Sequence, residues 1–105
     1  MESPFIGKWR IIEMDNWTQS YIDLVSPGLI SFDKAGTGQI HFGAFHGETD
    51  WRTTPEPNKV EFSFEGFDEG NKVSGRGWAK IGQDRITGHV YFHMGDDSSF
   101  VALRN

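Results

Sequence analysis

The chain contains no cysteine. Disulfide staples, thiolate nucleophiles and thiolate metal sites are therefore excluded, and a reducing compartment, the cytoplasm, is the expected setting. Basic residues are scarce as well. Residues 1–50 carry 3 Lys/Arg against 7 Asp/Glu; from totals of 10 and 15, residues 51–105 carry 7 against 8. The formal net charge is −5. A surface that neutralises phosphates needs the opposite balance, so nucleic acid is not expected as a partner, nor is an anionic membrane surface. Long apolar runs are missing too, which argues against a membrane-spanning helix. The opening "MESPFIGKWRII" has no basic stretch followed by an apolar run, and no secretory signal is expected.

Aromatics and glycine are abundant. Nine Phe, four Trp and two Tyr accompany 13 Gly in 105 residues. Aromatic side chains favour strands, and glycine marks their turns, bends and bulges. The length suits one domain, residues 1–105, and no stretch reads as a linker. An all-β fold follows from this composition.

Period-2 alternation places the strands. "GKWRIIEMD" (7–15) puts Trp9 and Ile11 on one face, and "LISFD" (29–33) puts Ile30 and Phe32 inward. "GQIHFGAF" (38–45) reads as a third strand with Ile40, Phe42 and Ala44 on one face, and "ETDWRTT" (48–54) as a weaker fourth around Trp51. "KVEFSFEGF" (59–67) alternates cleanly, with Val60, Phe62 and Phe64 opposite Glu61, Ser63 and Glu65. "KVSGRGWAKI" (72–81) is bent by Gly75 and Gly77. "RITGHVYFHM" (85–94) puts Ile86, Val90, Phe92 and Met94 on the apolar face, and "SSFVALR" (98–104) completes the set.

One segment departs from alternation. In "NWTQSYIDLVSPG", Trp17, Tyr21, Leu24 and Val25 fall at helical spacing. Asn16 and Gln19 suggest a capping box, and Pro27-Gly28 a stop. The expectation is a helix of about two turns that plugs one end of the sheet structure. Seven or eight antiparallel strands in sequence hide their edges by closing into an up-and-down β-barrel. A β-sandwich is the alternative. Glycines within strands favour the barrel, because closure needs sharp bends.

"GKW" (7–9) resembles the Gly-x-Trp signature of the calycins, the lipocalins, fatty-acid-binding proteins and avidins, where it begins the first barrel strand. In lipocalins that Trp packs against a basic residue near the end of the last strand. The resemblance implies that Trp9 and Arg104 are structural partners joining the two ends of the barrel. The chain is shorter than lipocalins, and no counterpart of their second motif is present. The segments "WRIIEMD", "GRGWA" and "GDDS" also resemble those of a group of uncharacterised small bacterial proteins, which implies a bacterial source and no particular activity.

"HVYFHMGDDSSF" (89–100) concentrates the residues that most resemble chemistry. His89, Tyr91 and His93 share a strand face, but the two histidines stand about 13 Å apart along it, too far to share one metal. They oppose the apolar face, so an outward polar stripe is the simpler reading. "GDDSS" (95–99) suits a hairpin turn with a solvated acidic tip. Glu61 and Glu65 lie on the wet face of their strand. No catalytic residue, metal or cofactor is assigned. Trp51, Phe62, Phe64, Trp78 and Phe92 are the candidate lining of a site for a small apolar or aromatic ligand inside the barrel. The competing reading fills the interior with those same aromatics, because about eight strands leave room for little more than side chains. The chain would then be a structural or interaction module, with a homodimer as one form.

Overall fold

A computed structural model describes residues 3–105 of the chain. Eight antiparallel strands follow one another around a closed barrel. They are β1 (Gly7–Met14), β2 (Leu29–Phe32), β3 (Thr37–Phe42), β4 (Phe45–Thr53), β5 (Lys59–Asp68), β6 (Asn71–Gly82), β7 (Arg85–Phe92) and β8 (Asp97–Arg104). A single helical turn, α1 (Gln19–Ile22), lies between β1 and β2. Pairing of β1 with β8, Trp9 opposite Arg104 and Met14 opposite Phe100, closes the sheet and leaves no free edge. A register shift between Ile11 and Glu13 marks a bulge in β1. The sandwich alternative is set aside.

Two sequence readings are corrected. "GQIHFGAF" is not one strand. It breaks at Gly43-Ala44 into a hairpin, with Phe42 opposite Phe45. Gly43 has φ +59, and a Cβ there would run into the Tyr21 ring, so the turn requires glycine. The two residues flanking a two-residue turn share a face, so Phe42 and Phe45 both point inward and Ala44 is half-buried in the turn. "RITGHVYFHM" is also too long. β7 ends at Phe92; Met94 takes φ +57 in the following turn and is 93% exposed rather than inward.

The helix is shorter than expected. Its N-cap is Thr18, whose hydroxyl accepts from the Tyr21 N–H at 3.2 Å, not Asn16. Ile22 is fully buried, while Leu24 and Val25 are exposed. The chain turns away because Asp23 is clamped by the Arg10 guanidinium through two bonds of 2.7 and 2.9 Å. Asp23 also accepts the Gly28 N–H at 2.9 Å. The Gly43 N–H donates to the Ile22 carbonyl at 2.8 Å, which ties α1 to the β3–β4 turn.

The interior has two complementary halves. From β2 to β5 it receives Ile30, Phe32, Ile40, Phe42, Phe45, Trp51, Val60, Phe62 and Phe64, all buried. β6 and β8 offer Gly75, Gly77, Ala79, Ser98 and Ala102 at facing positions, with Phe100 as the large exception. Cβ atoms placed on Gly75 and Gly77 would stand 2.6 Å from the tips of Phe64 and Phe62. Phe64 and Phe62 are the direct cross-strand partners of Gly75 and Gly77 on the adjacent β6, so their rings lie over the inner face that those glycines leave bare. Phe32–Phe62, Phe45–Phe64 and Phe62–Phe64 have ring centroids 5.4–6.4 Å apart. Such contacts add about 0.5–1.5 kcal/mol each beyond area burial.

Candidate functional site

Antiparallel order puts α1 and the β3–β4, β5–β6 and β7–β8 turns at one end of the barrel, hereafter the mouth. A cleft of about 350 Å³ opens there. Phe42, Phe45 and Phe92 form its floor, and Trp17 and Tyr21 from the α1 segment form one wall. Val73 and the 93–96 turn complete it. Trp17 lies 5.1 Å from Phe42 and 6.3 Å from both Phe92 and Tyr21, centroid to centroid. Phe92 also meets Phe45 at 5.0 Å and Phe64 at 5.2 Å, so it joins the cleft to the core below. Phe92, Trp17, Tyr21 and Val73 are half-buried. The polar lining consists of Asp68, His93 and Asp96.

The wall behind this cleft is fixed by polar contacts. The Ser98 hydroxyl, 1% exposed, donates to Asp15 at 2.6 Å and accepts from the Asn16 N–H at 3.1 Å. The Ser99 N–H donates to the same carboxylate at 2.9 Å. The Ser98 hydroxyl first, then the Ser99 N–H, hold Asp15 below its ordinary range. Arg10 first, then the Gln19 amide and the Gly28 N–H, hold Asp23 well below the usual carboxylate range.

A second, larger groove of about 650 Å³ runs across the outer face of β4–β7. Glu48, Asp50, Glu65, Arg76, Tyr91 and His93 are among its lining residues. Glu48 and Glu65 are directly opposite across β4 and β5, and the Arg76 guanidinium lies 5.0 Å from the Tyr91 ring centre. His89 stacks on Tyr91 at 4.6 Å and bonds Asp97 at 2.6 Å, an ion pair when the imidazole is protonated. The groove is open, and its lining mixes charged groups with Phe64 and the Tyr91 ring. Catalysis of the acyl-transfer type needs a nucleophile hydrogen-bonded to a base that is itself oriented. The His89–Asp97 pair has no such nucleophile bonded to it among the described residues. Among the described residues, no group of three or more His, Cys, Asp or Glu is arranged to hold a metal ion.

The five residues expected to line one ligand site are divided among three places. Trp51, Phe62 and Phe64 sit in the core, and the Trp51 Nε1–H donates to the Asp33 carbonyl at 3.0 Å. Trp78 lies on the outer wall, half-buried, with the ammonium groups of Lys59 and Lys80 at 5.2 and 5.9 Å from its ring. Only Phe92 reaches the mouth cleft. Sequence reasoning placed Trp17 and Tyr21 on a plug without assigning them to a site. The signal was their position beside the one break in alternation, in the segment that lies over the barrel end.

At the opposite end, Trp9 is fully buried and its Nε1–H donates to the Phe5 carbonyl at 2.9 Å. The Arg104 guanidinium lies 4.0 Å from the Trp9 ring centre and donates to the Ile6 and Pro4 carbonyls at 3.1 and 2.8 Å. No helix among the described residues is long and apolar enough to cross a membrane. The chain matches no known family model, and neither the curated proteins nor the solved structures yield a match.

Proposed function

We propose that this chain is a non-catalytic binding module that takes a small apolar or aromatic ligand at the barrel mouth, not deep in the interior. The observation that carries the reading is the cleft of about 350 Å³ walled by Trp17, Tyr21, Phe42, Phe45 and Phe92. Ligand sites are typically concave and mostly apolar, with a few polar groups, and run from about 300 to 1,000 Å³. The interior offers less, because the β2–β5 aromatics fill the space above Gly75 and Gly77. Barrel closure and the Arg104 guanidinium over Trp9 support a calycin-like relationship. A cysteine-free chain suits a reducing compartment such as a bacterial cytoplasm. Native mass spectrometry of the purified protein is expected to show a retained apolar compound. Tryptophan emission is expected to respond to apolar probes in the parent and to lose that response in Trp17→Ala. No response across a broad panel would count against the reading.

A second reading, a protein-interaction module, draws on the exposed Leu24, Val25, Phe67 and Met94 around the same end. Exposed apolar side chains gathered at one place mark contact surfaces. Light scattering over a wide concentration range tests it through a homodimer. A strictly monomeric profile at high concentration would count against self-association.

A further inference from the structure

The charge around the mouth cleft selects among apolar ligands. Its floor and one wall are faces and edges of Trp17, Tyr21, Phe42, Phe45 and Phe92. Besides the Tyr21 phenol, its ionisable lining is two carboxylates, Asp68 and Asp96, and one imidazole, His93; no Lys or Arg lines it. Asp68 ends β5 opposite Phe45, beside the ring it would share with a ligand. Asp96 sits in the β7–β8 turn, where its main-chain carbonyl accepts the Phe92 N–H at 2.9 Å. Ion pairs join Arg10 to Asp23, Lys59 and Lys80 to Glu56 and, when the imidazole is protonated, His89 to Asp97. Asp68 and Asp96 take part in none of them.

This arrangement favours one sign. Aromatic faces attract cations through the ring quadrupole, most strongly for Trp. Carboxylates at the rim add attraction for the same charge and repel anions. The protein already uses this chemistry elsewhere. Arg104 lies over Trp9, Arg76 over Tyr91, and Lys59 and Lys80 over Trp78. Trp17, by contrast, carries ring contacts only to Tyr21, Phe42 and Phe92. The cleft thus combines an aromatic surface free of a resident cation with carboxylates free of ion-pair partners.

We infer that the mouth cleft takes a cationic amphiphile, an apolar or aromatic body carrying an ammonium group, in preference to a neutral or anionic molecule of the same shape. The body rests on the aromatic floor, and the ammonium points to Asp68 and Asp96 at the rim. This inference rests on the proposed reading of the cleft, and its test separates the two.

The probes are 4-phenylbutylamine, 4-phenylbutanol and 4-phenylbutanoate, which share one body and differ in charge. Binding is read from the Trp17 indole N–H signal by NMR at pH 8 and low salt, above the ordinary imidazole range. The amine is expected to bind about fivefold to tenfold more tightly than the alcohol, and the carboxylate more weakly than either. Raising the salt to 0.5 M should narrow the amine's advantage, because exposed charges are screened. In the double variant Asp68→Asn/Asp96→Asn the ratio of amine to alcohol affinity should fall towards one. Equal binding of amine and alcohol, a preference for the carboxylate, or an advantage indifferent to both salt and the double variant would overturn the cationic preference while leaving an apolar site standing. No shift with any of the three probes would overturn both readings.

Discussion

Two tryptophans mark the two ends of this barrel, and their surroundings differ in almost every respect. Trp9 is completely buried, its N–H is bonded to the Phe5 carbonyl, and its face is covered by Arg104. Trp17 is half-buried beside an open cleft, and its ring meets other aromatics and, among the described residues, no cation. One end has its hydrogen bonds and its cation–π contact made within the chain; the other leaves aromatic surface and two carboxylates to solvent. The contrast separates two uses of one residue type. Trp9 holds the first and last strands together, and Trp17 offers area to something else.

The sharpest way to break that contrast is to remove each ring. Trp9→Ala should cost about 3–5 kcal/mol, the usual range for deleting a large buried aromatic. It is read as a lowered urea midpoint at unchanged slope. Trp17→Ala should cost less, about 1–2 kcal/mol, because its ring is only partly removed from water, and it should abolish the response to mouth ligands. Comparable losses of stability in the two variants would show that the mouth is as structural as the opposite end.

A substitution in the wall between the ends tests the filled interior. Gly75→Ala would place a methyl inside van der Waals contact of the Tyr91 main-chain carbonyl oxygen and 2.6 Å from the Phe64 ring tip. Overpacking of this kind costs about 1–3 kcal/mol. The loss should shrink only in part in Gly75→Ala combined with Phe64→Leu, since the shorter side chain vacates the ring's space and leaves the contact with the Tyr91 carbonyl. A neutral or stabilising Gly75→Ala would mean that the interior has room, and would move the ligand site inward from the mouth.

The alternation of β5 was fully legible: Val60, Phe62 and Phe64 point inward because a closed barrel has one dry face. The pairing of Trp9 with Arg104 was legible through a motif at each end of the chain. Alternation misled at places where the backbone leaves the strand. A two-residue hairpin keeps Phe42 and Phe45 on one face, and a period-2 count cannot see that it has crossed a turn. Met94 fails for the same reason, since the count runs on past Phe92 into a left-handed residue. The helix was misjudged because helical spacing of Leu24 and Val25 says nothing of Asp23, which a contact with Arg10 thirteen residues earlier pulls out of the helical path. The mouth cleft was the least legible feature. Its lining comes from five separate stretches of chain, and only the closed topology brings them together. Trp78 was read as inward-facing, yet its direct neighbours are Glu61 and His89, both on the outer face.

Arg104 tests the Trp9 end more gently. Arg104→Ala removes the cation over Trp9 and two bonds to main-chain carbonyls. The guanidinium is exposed, so the expected loss is about 1 kcal/mol, measurable as a small fall in melting temperature. Arg104→Lys should recover only part of it, because a compact ammonium cannot cover the ring and reach both carbonyls with a planar fork. Full recovery would reduce the role of Arg104 to charge alone.

The smallest effect expected should appear in acid, and at one end first. Asp23 holds the α1–β2 segment against β1 through Arg10, Gln19 and the Gly28 N–H. Its carboxyl is held below its ordinary value in the folded state. Such a group contributes stability above the pKa it has in the unfolded chain, near 3.9, and loses that contribution as pH falls from there through the lower folded value. Trp9 depends on a cation that does not titrate in this range and on a main-chain carbonyl, so its environment should not follow the same curve. Acidification below about pH 4 should therefore alter the indole signal of Trp17 before that of Trp9, while secondary structure persists. In Asp23→Asn the Trp17 signal should already be shifted at neutral pH and should change less on acidification. If the two indoles move together in the parent, the two ends unfold as one unit, and the division of labour between them lies in binding alone.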